Sequence, residues 1–364
     1  MTNPVGKPEE RTGLLSLEEV ARIMSELPMQ EEHLAEVHDA VCSSSGNGYD
    51  EEYMMSDMFA HPGYGVGEEQ TRDAGSGTYG NPLRSLFENY FKGMCSTRGG
   101  GDPEADASDY IDALCNSDMQ IYWPYSEQWD GSYPIITFDP GYGAESNTGY
   151  EIVEDGQGNR TAREIYVDES VAASRTVWVI NTNDDSAFTP AEFFKVEPAA
   201  SSKGEGESRK MLILKSFKML RNYDSWFGGG SEFLVKCGSA SGFKATSMED
   251  LLLYTPSVTD FLIVIRRSQL KQEVEKNTIL VSDFTEDLDK LAFLVIEDDG
   301  GTTTSWKCSA TVKYQSKSYG FDIEIPYKDK DDIVWRGQLS GDYFRENGTV
   351  TGRFGDVMIT FSLI

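Results

Sequence analysis

Between Met211 and the C-terminus, nine short apolar runs follow one another, and a chain written this way has few ways to fold. They read MLILKSFKML, EFLVKC, DFLIVIRR, TILVSDF, KLAFLVIED, SWKCSATVKY, YGFDIEIPY, GQLSGDYF and VMITFSL. Each is rich in β-branched and aromatic residues, and glycine or acidic turn residues separate them, the pattern of strands joined by turns. Short strands at regular intervals pair antiparallel and bury their apolar faces by stacking two sheets. The expectation is at least seven strands in an antiparallel β-sandwich spanning 211–364. Asn347-Gly348 reads as a hairpin tip.

Residues 1–118 read as a mainly helical, acidic head. Ser16-Leu17-Glu18-Glu19 fits a capping box, with Ser at the N-cap and Glu three positions on. Leu17, Val20, Ala21, Met24 and Leu27 follow at helical spacing. A second helix is expected over 31–41, stopped by three serines and Gly46-Asn47-Gly48. A short helix near 51–59, one around Leu83–Phe91 and one over Ala107–Cys115 complete the head. Residues 60–80 read as a glycine-rich loop.

The period changes at Met119. IYWPYSEQW, PIITFDP, YEIVED, REIYVDE and RTVWVIN are β-type runs, so 119–198 reads as a small β module whose Trp and Tyr could line a groove or fill a core. Asp155-Gly156 and Gly158-Asn159 mark a hairpin turn. The polar stretch 199–210, AASSKGEGESRK, reads as a linker. The fold class expected is therefore α+β and multidomain: helical N-terminal region, small β module, C-terminal antiparallel β-sandwich.

The net charge of −29 is uneven. Residues 1–118 carry 7 basic and 23 acidic side chains, 119–200 carry 4 and 14, and 201–364 carry 21 and 24. An acidic front argues against nucleic acid, because phosphate contact needs clustered Lys and Arg. No run of eighteen apolar residues exists, so no transmembrane helix is expected. The five cysteines, Cys42, Cys95, Cys115, Cys237 and Cys308, form no metal-binding spacing; a Cys95–Cys115 or Cys237–Cys308 bridge and free thiols both stay open.

The chemistry concentrates at two loops. RNYDSWFGGGSEFLV places Asp224 and Glu232 around three glycines, and LAFLVIEDDGG ends a strand in Glu297, Asp298 and Asp299. Acids at strand ends beside glycine turns suit calcium, which takes 6–8 hard oxygen ligands. The same residues also serve as ordinary turn formers. His33 and His38 are five apart and so off one helix face, and no HExxH, GxSxG or Walker loop occurs. The run YDEEY (Asp50, Glu51, Glu52) is acidic and aromatic-flanked; as the start of a helix its acids would serve the helix dipole.

Two resemblances rest on these segments. RNYDSWFGGGSEFLVKC resembles the first calcium loop of synaptotagmin-type calcium/phospholipid-binding sandwich domains. There Ser231-Glu232-Phe233-Leu234-Val235 stands at the family's Ser-Asp-Pro-Tyr-Val motif, and LVIEDDGG at its Asp-x-Asp loop, so that Glu297 and Asp299 would carry those two positions. Glu232 replaces Asp, Phe233 replaces Pro, and no third spaced Asp follows 299. The second resemblance covers 14–195. LSLEEVARIMSELPMQEEHLAEVHDAV, NGYDEEYMMSDMF, PGYGVG, IYWPYSEQWDG and YVDESVAASRTVWVIN look similar to uncharacterised cell-envelope lipoproteins of gut bacteria. That resemblance implies periplasmic or cell-surface residence, with a lipid anchor supplied by a segment outside this sequence. Met1–Gly13 would then be a polar tether.

The functional expectation is an exported, non-enzymatic binding or adhesion-type protein, calcium-dependent at the sandwich tip. Its partner would be a protein, a glycan or an envelope component. The alternative is a hydrolase acting on a peptide or glycan where head and β module meet.

Overall fold

The computed structural model describes residues 15–60, 81–98, 103–141, 143–154, 160–185, 187–196 and 210–364. The glycine-rich loop 60–80, the turn at 155–159 and all of the linker but Lys210 lie outside the described residues, apart from Ala60. The chain forms two compact units. The first comprises 1–46, 50–184 and 224–229, and the second 47–49, 185–223 and 230–364. No described helix is long and apolar enough to cross a membrane.

The first unit opens with α1 (Leu17–Glu26) and α2 (Glu31–Gly46). The capping box forms: the Glu19 N–H donates to Ser16 Oγ at 3.2 Å, and Ser16 N–H donates to Glu19 Oε2 at 2.8 Å. α2 runs through the three serines to Gly46, beyond the expected stop at Val41. Then come β1 (Glu52–Met54), α3 (Met55–Phe59), α4 (Pro82–Arg98) and α5 (Pro103–Cys115). Pro82 starts α4, where its missing N–H costs nothing. Glu36 caps the same end, taking the Leu83 N–H at 2.8 Å and the Tyr53 hydroxyl at 3.0 Å. Burial holds the Glu36 carboxyl above the usual carboxylate range despite both donors.

The strands of this unit are β2 (Met119–Tyr122), β3 (Ile135–Phe138), β4 (Ser146–Glu154), β5 (Arg160–Asp168) and, after the short helix α6 (Glu169–Ala172), β6 (Val177–Thr182). With β1 they make one six-stranded sheet in the order β1-β2-β6-β3-β4-β5, antiparallel except for the parallel pair β3 and β6. The expected hairpin is present, Glu154 pairing with Arg160. β1, from the helical stretch, pairs with β2, so head and β module share a sheet. Side-chain alternation sorts the two faces. Trp178 and Ile180 of β6 join Val20, Met24, Val37, Phe87 and Phe91 in the helix-covered core. Val177 and Val179 face the other way and pack with Trp226 and Phe227 of the 224–229 segment. Each such fully buried side chain contributes about 1.5–3 kcal/mol.

The second unit contains β7 (Leu212–Met219), β8 (Ser231–Ser239), α7 (Met248–Leu253), β9 (Ser257–Ile265), β10 (Val274–Val281), β11 (Leu288–Glu297), β12 (Thr303–Tyr314), β13 (Lys317–Lys328), β14 (Asp332–Ser340), α8 (Gly341–Asn347), β15 (Thr349–Phe354) and β16 (Val357–Leu363). One sheet runs β10-β7-β16-β15. The other runs β13-β12-β11-β8-β9, with β14 also paired to β11. All pairings are antiparallel. Phe217, Phe233, Val235, Phe261, Ile263, Phe293, Val295, Ile359 and Phe361 fill one core shared by the two sheets, a sandwich. The outer face of β8, β9 and β11 is also buried, where Leu234, Leu262 and Leu294 pack with Tyr49 and Phe188. Burial on both faces explains the unbroken apolar runs EFLV and LAFLVI.

Two local expectations are corrected. GQLSGDYF is not one strand: β14 ends at Ser340, whose hydroxyl accepts the Asp342 N–H and starts α8. Asn347-Gly348 is not a hairpin tip. Asn347 ends α8, Gly348 caps it at φ 68°, and the hairpin turns instead at Gly355-Asp356 between β15 and β16.

Candidate functional site

Of the five acids expected to share an ion, the second unit brings two together: one carboxylate oxygen of Glu232 lies within 4.8 Å of one of Glu297, while Asp224 belongs to the first unit. Strand pairing sets the two glutamates at neighbouring strand ends. Glu232 is the second residue of β8 and Glu297 the last of the neighbouring β11, where Glu297 pairs with Phe233 and the Asp298 N–H donates to the Glu232 carbonyl at 3.0 Å. Both are buried, at 6% and 1% exposure, and Asp224 is half-buried.

Asp298 and Asp299 lie beyond the end of β11 and go elsewhere. The buried Asp298 takes Lys328 Nζ on Oδ2 at 2.9 Å. Asp299 is exposed, and its N–H donates to Asp331 Oδ1 at 3.3 Å. Asp331 is itself buried and lies beside Asp298. Its carboxyl is pushed up to about 6, first by burial and then by hydrogen bonding and charge from Asp298. This carboxyl pair was not singled out in the sequence, where Asp329, Asp331 and Asp332 look like one solvated turn.

The two described histidines have separate partners. His33 is buried and its Nδ1 accepts the Gln30 N–H at 2.9 Å. His38 packs against Trp129 at 4.9 Å and Trp123 at 5.5 Å between ring centroids. Neither belongs to a metal-ligating group among the described residues, and His61 lies outside them. The YDEEY acids do not begin a helix, which corrects the dipole reading. All three are buried, Glu52 within β1. Glu51 accepts the Ser126 N–H at 3.1 Å and hydroxyl at 2.7 Å, and Glu52 accepts Asn183 Nδ2 at 2.8 Å.

That Glu51–Ser126 contact shapes a second feature, a recess of about 260 Å³ in the first unit. Two connections frame it at the starts of the parallel strands β3 and β6. One is Trp123–Tyr133 after β2, and the other is Ala172–Thr176, from the last residue of α6. Glu51 clamps the turn in which Tyr125 takes the left-handed conformation, φ 60° and ψ 31°, uncommon for a bulky side chain. Trp129 is held by its Nε1–H donating to the Ser132 carbonyl at 3.0 Å and by ring contact with Trp123 and His38. Tyr133 carries Arg160 over its ring at 4.3 Å. Asp130 accepts the Ser132 N–H at 2.9 Å, and Ser132 holds it below the usual carboxylate range. The aromatic richness of 119–133 was legible in the sequence; that these rings border a recess was not.

The five cysteines are free thiols. Comparison with protein-family models, with curated proteins and with solved structures finds no match to this chain.

Proposed function

We propose that this chain is an exported, non-enzymatic binding or adhesion-type protein whose sandwich unit takes a calcium-type cation at the shared end of β8 and β11. The observation that supports the cation is the convergence of the Glu232 and Glu297 oxygens to within 4.8 Å. Hard carboxylate oxygens at that spacing suit calcium better than a soft thiolate-loving metal. Its partner is a protein, glycan or envelope component. Export rests on the resemblance of residues 14–195 to cell-envelope lipoproteins.

Thermal unfolding with calcium or a chelator tests the reading. An ion that binds only the folded state raises Tm by mass action, about 2.7 kcal/mol at a hundredfold excess over Kd. Calcium should raise Tm, Glu297→Gln and Glu232→Gln should each remove the rise, and Asp322→Asn, at an exposed position on β13, should keep it. A Tm unchanged by millimolar calcium would overturn the cation while leaving the sandwich intact.

A further inference from the structure

We propose that the recess between Trp123–Tyr133 and Ala172–Thr176 is a saccharide subsite that takes one pyranose ring. Its size sits just under the roughly 300–1,000 Å³ of sites for drug-sized ligands, which leaves room for about one ring. Its lining joins two kinds of group that a sugar needs at once. Tyr125, Trp129 and Tyr133 supply part-exposed aromatic surface for the apolar C–H face of a pyranose, with the buried Trp123 backing Trp129. Asp130, Gln128, Ser132, Arg175 and Thr176 supply acceptors and donors for its hydroxyls.

The arrangement is preorganised. Trp129 is fixed by its indole hydrogen bond and by two ring neighbours, so little side-chain freedom is lost on binding. Asp130 is already oriented by Ser132, and Ser132 Oγ lies 2.8 Å from Thr176 Oγ1, tying the two connections together. Arg175 is oriented by Glu151 at 2.6 Å. Tyr125 holds an unfavourable left-handed backbone conformation at the rim, a kind of strain that concentrates at ligand sites.

Two other occupants fit less well. A quaternary ammonium ion favours an aromatic cage without a competing cation, and here Arg175 lines the wall. Hydrolysis of the sugar takes two carboxylates about 5–9.5 Å apart, and Asp130 is the one carboxylate in the lining. The recess therefore holds the ring without cutting it. This subsite is independent of the cation, and its occupancy is expected unchanged in chelator.

The test titrates the full chain, in chelator, with maltose, cellobiose, lactose and N,N′-diacetylchitobiose, following tryptophan fluorescence and saturation-transfer NMR. At least one disaccharide should bind, with saturation transfer strongest to protons on one face of a ring. Trp129→Ala should weaken it at least tenfold and Trp129→Phe less. Asp130→Asn, at a surface position that leaves the core untouched, should weaken it several-fold with Tm unchanged, so the test survives if Trp129→Ala fails to fold. Absence of binding by all four sugars at about 10 mM, roughly tenfold above a weak ~1 mM Kd, would overturn the proposal. So would binding of tetramethylammonium alone, or sugar binding that both Trp129→Ala and Asp130→Asn leave intact.

Discussion

Lys328 binds the two members of a buried acid pair with different parts of itself: its ammonium reaches Asp298 Oδ2 at 2.9 Å, and its backbone N–H donates to Asp331 Oδ2 at 2.7 Å. A second backbone donor, the Asp299 N–H, reaches Asp331 Oδ1. Burial, and then hydrogen bonding and charge from Asp298, push the Asp331 carboxyl up to about 6, although Lys328 and Lys236 both lie within electrostatic reach of the pair.

This predicts stability that falls as pH rises. The Asp331 carboxyl has an ordinary value of 3.8 in the unfolded chain and about 6 in the folded one. Between those values the folded state holds the extra proton, so ∂ΔG/∂pH is negative there. The contribution is full below about pH 3.8 and is lost as pH passes 6. Urea unfolding at intervals from pH 4 to 8 should show the protein losing stability across that window relative to Asp331→Asn, whose amide does not titrate. Parallel pH profiles for the two proteins would refute the assignment.

A second prediction concerns the turn that the sequence hid. Gly355 sits at φ 62°, and a Cβ built there would collide with the Val334 backbone carbonyl. Backbone cannot move aside as a flexible side chain would. Gly355→Ala should cost more than the ~1 kcal/mol of left-handed strain alone, about 2–4 kcal/mol in all. Gly348, at φ 68° and ψ −60°, is strained for an L side chain but has open space around it, so Gly348→Ala should cost backbone strain without a collision, about 1–3 kcal/mol and less than Gly355→Ala. Chemical denaturation of both variants checks the contrast, and equal losses would contradict it.

These glycines also show where sequence reading stops. The strands of the sandwich were legible because β8 and β11 are buried on both faces and so carry unbroken apolar runs. The Asn347-Gly348 pair satisfies a hairpin rule and a helix-end rule equally. What decides is Ser340, whose hydroxyl commits the chain to a helix seven residues earlier. β1 was illegible because three residues carry no period, and its existence depends on pairing with Tyr122, Ile121 and Gln120 nearly seventy residues on. The acids divide for the same reason. Glu232 and Glu297 lie at neighbouring ends of the adjacent strands β8 and β11, whereas Asp298 and Asp299 lie past the last paired residue, where no periodic rule orients them. The recess depends on Glu51 reaching Ser126, 75 positions away, and no local pattern announces such a contact.

The last prediction uses the thiols to read the packing. Cys42 is exposed, Cys115 and Cys308 are half-buried, and Cys95 and Cys237 are buried. Reactivity belongs to the thiolate, and burial pushes the Cys237, Cys115 and Cys308 thiols up from their ordinary value, Cys237 most strongly. A soluble aromatic disulfide at pH 8 should therefore modify Cys42 first, Cys115 and Cys308 more slowly, and Cys237 only when its strand opens. Cys237 lies in β8 between Thr259 of β9 and Phe293 of β11, so its exposure requires separating the centre of a sheet rather than fraying an edge. Its labelling rate should fall with the global unfolding constant and rise in step with it as urea is added. Mass spectrometry of digests taken along the time course would assign each site. Early labelling of Cys237 without urea would show that β8 is not the interior strand described above.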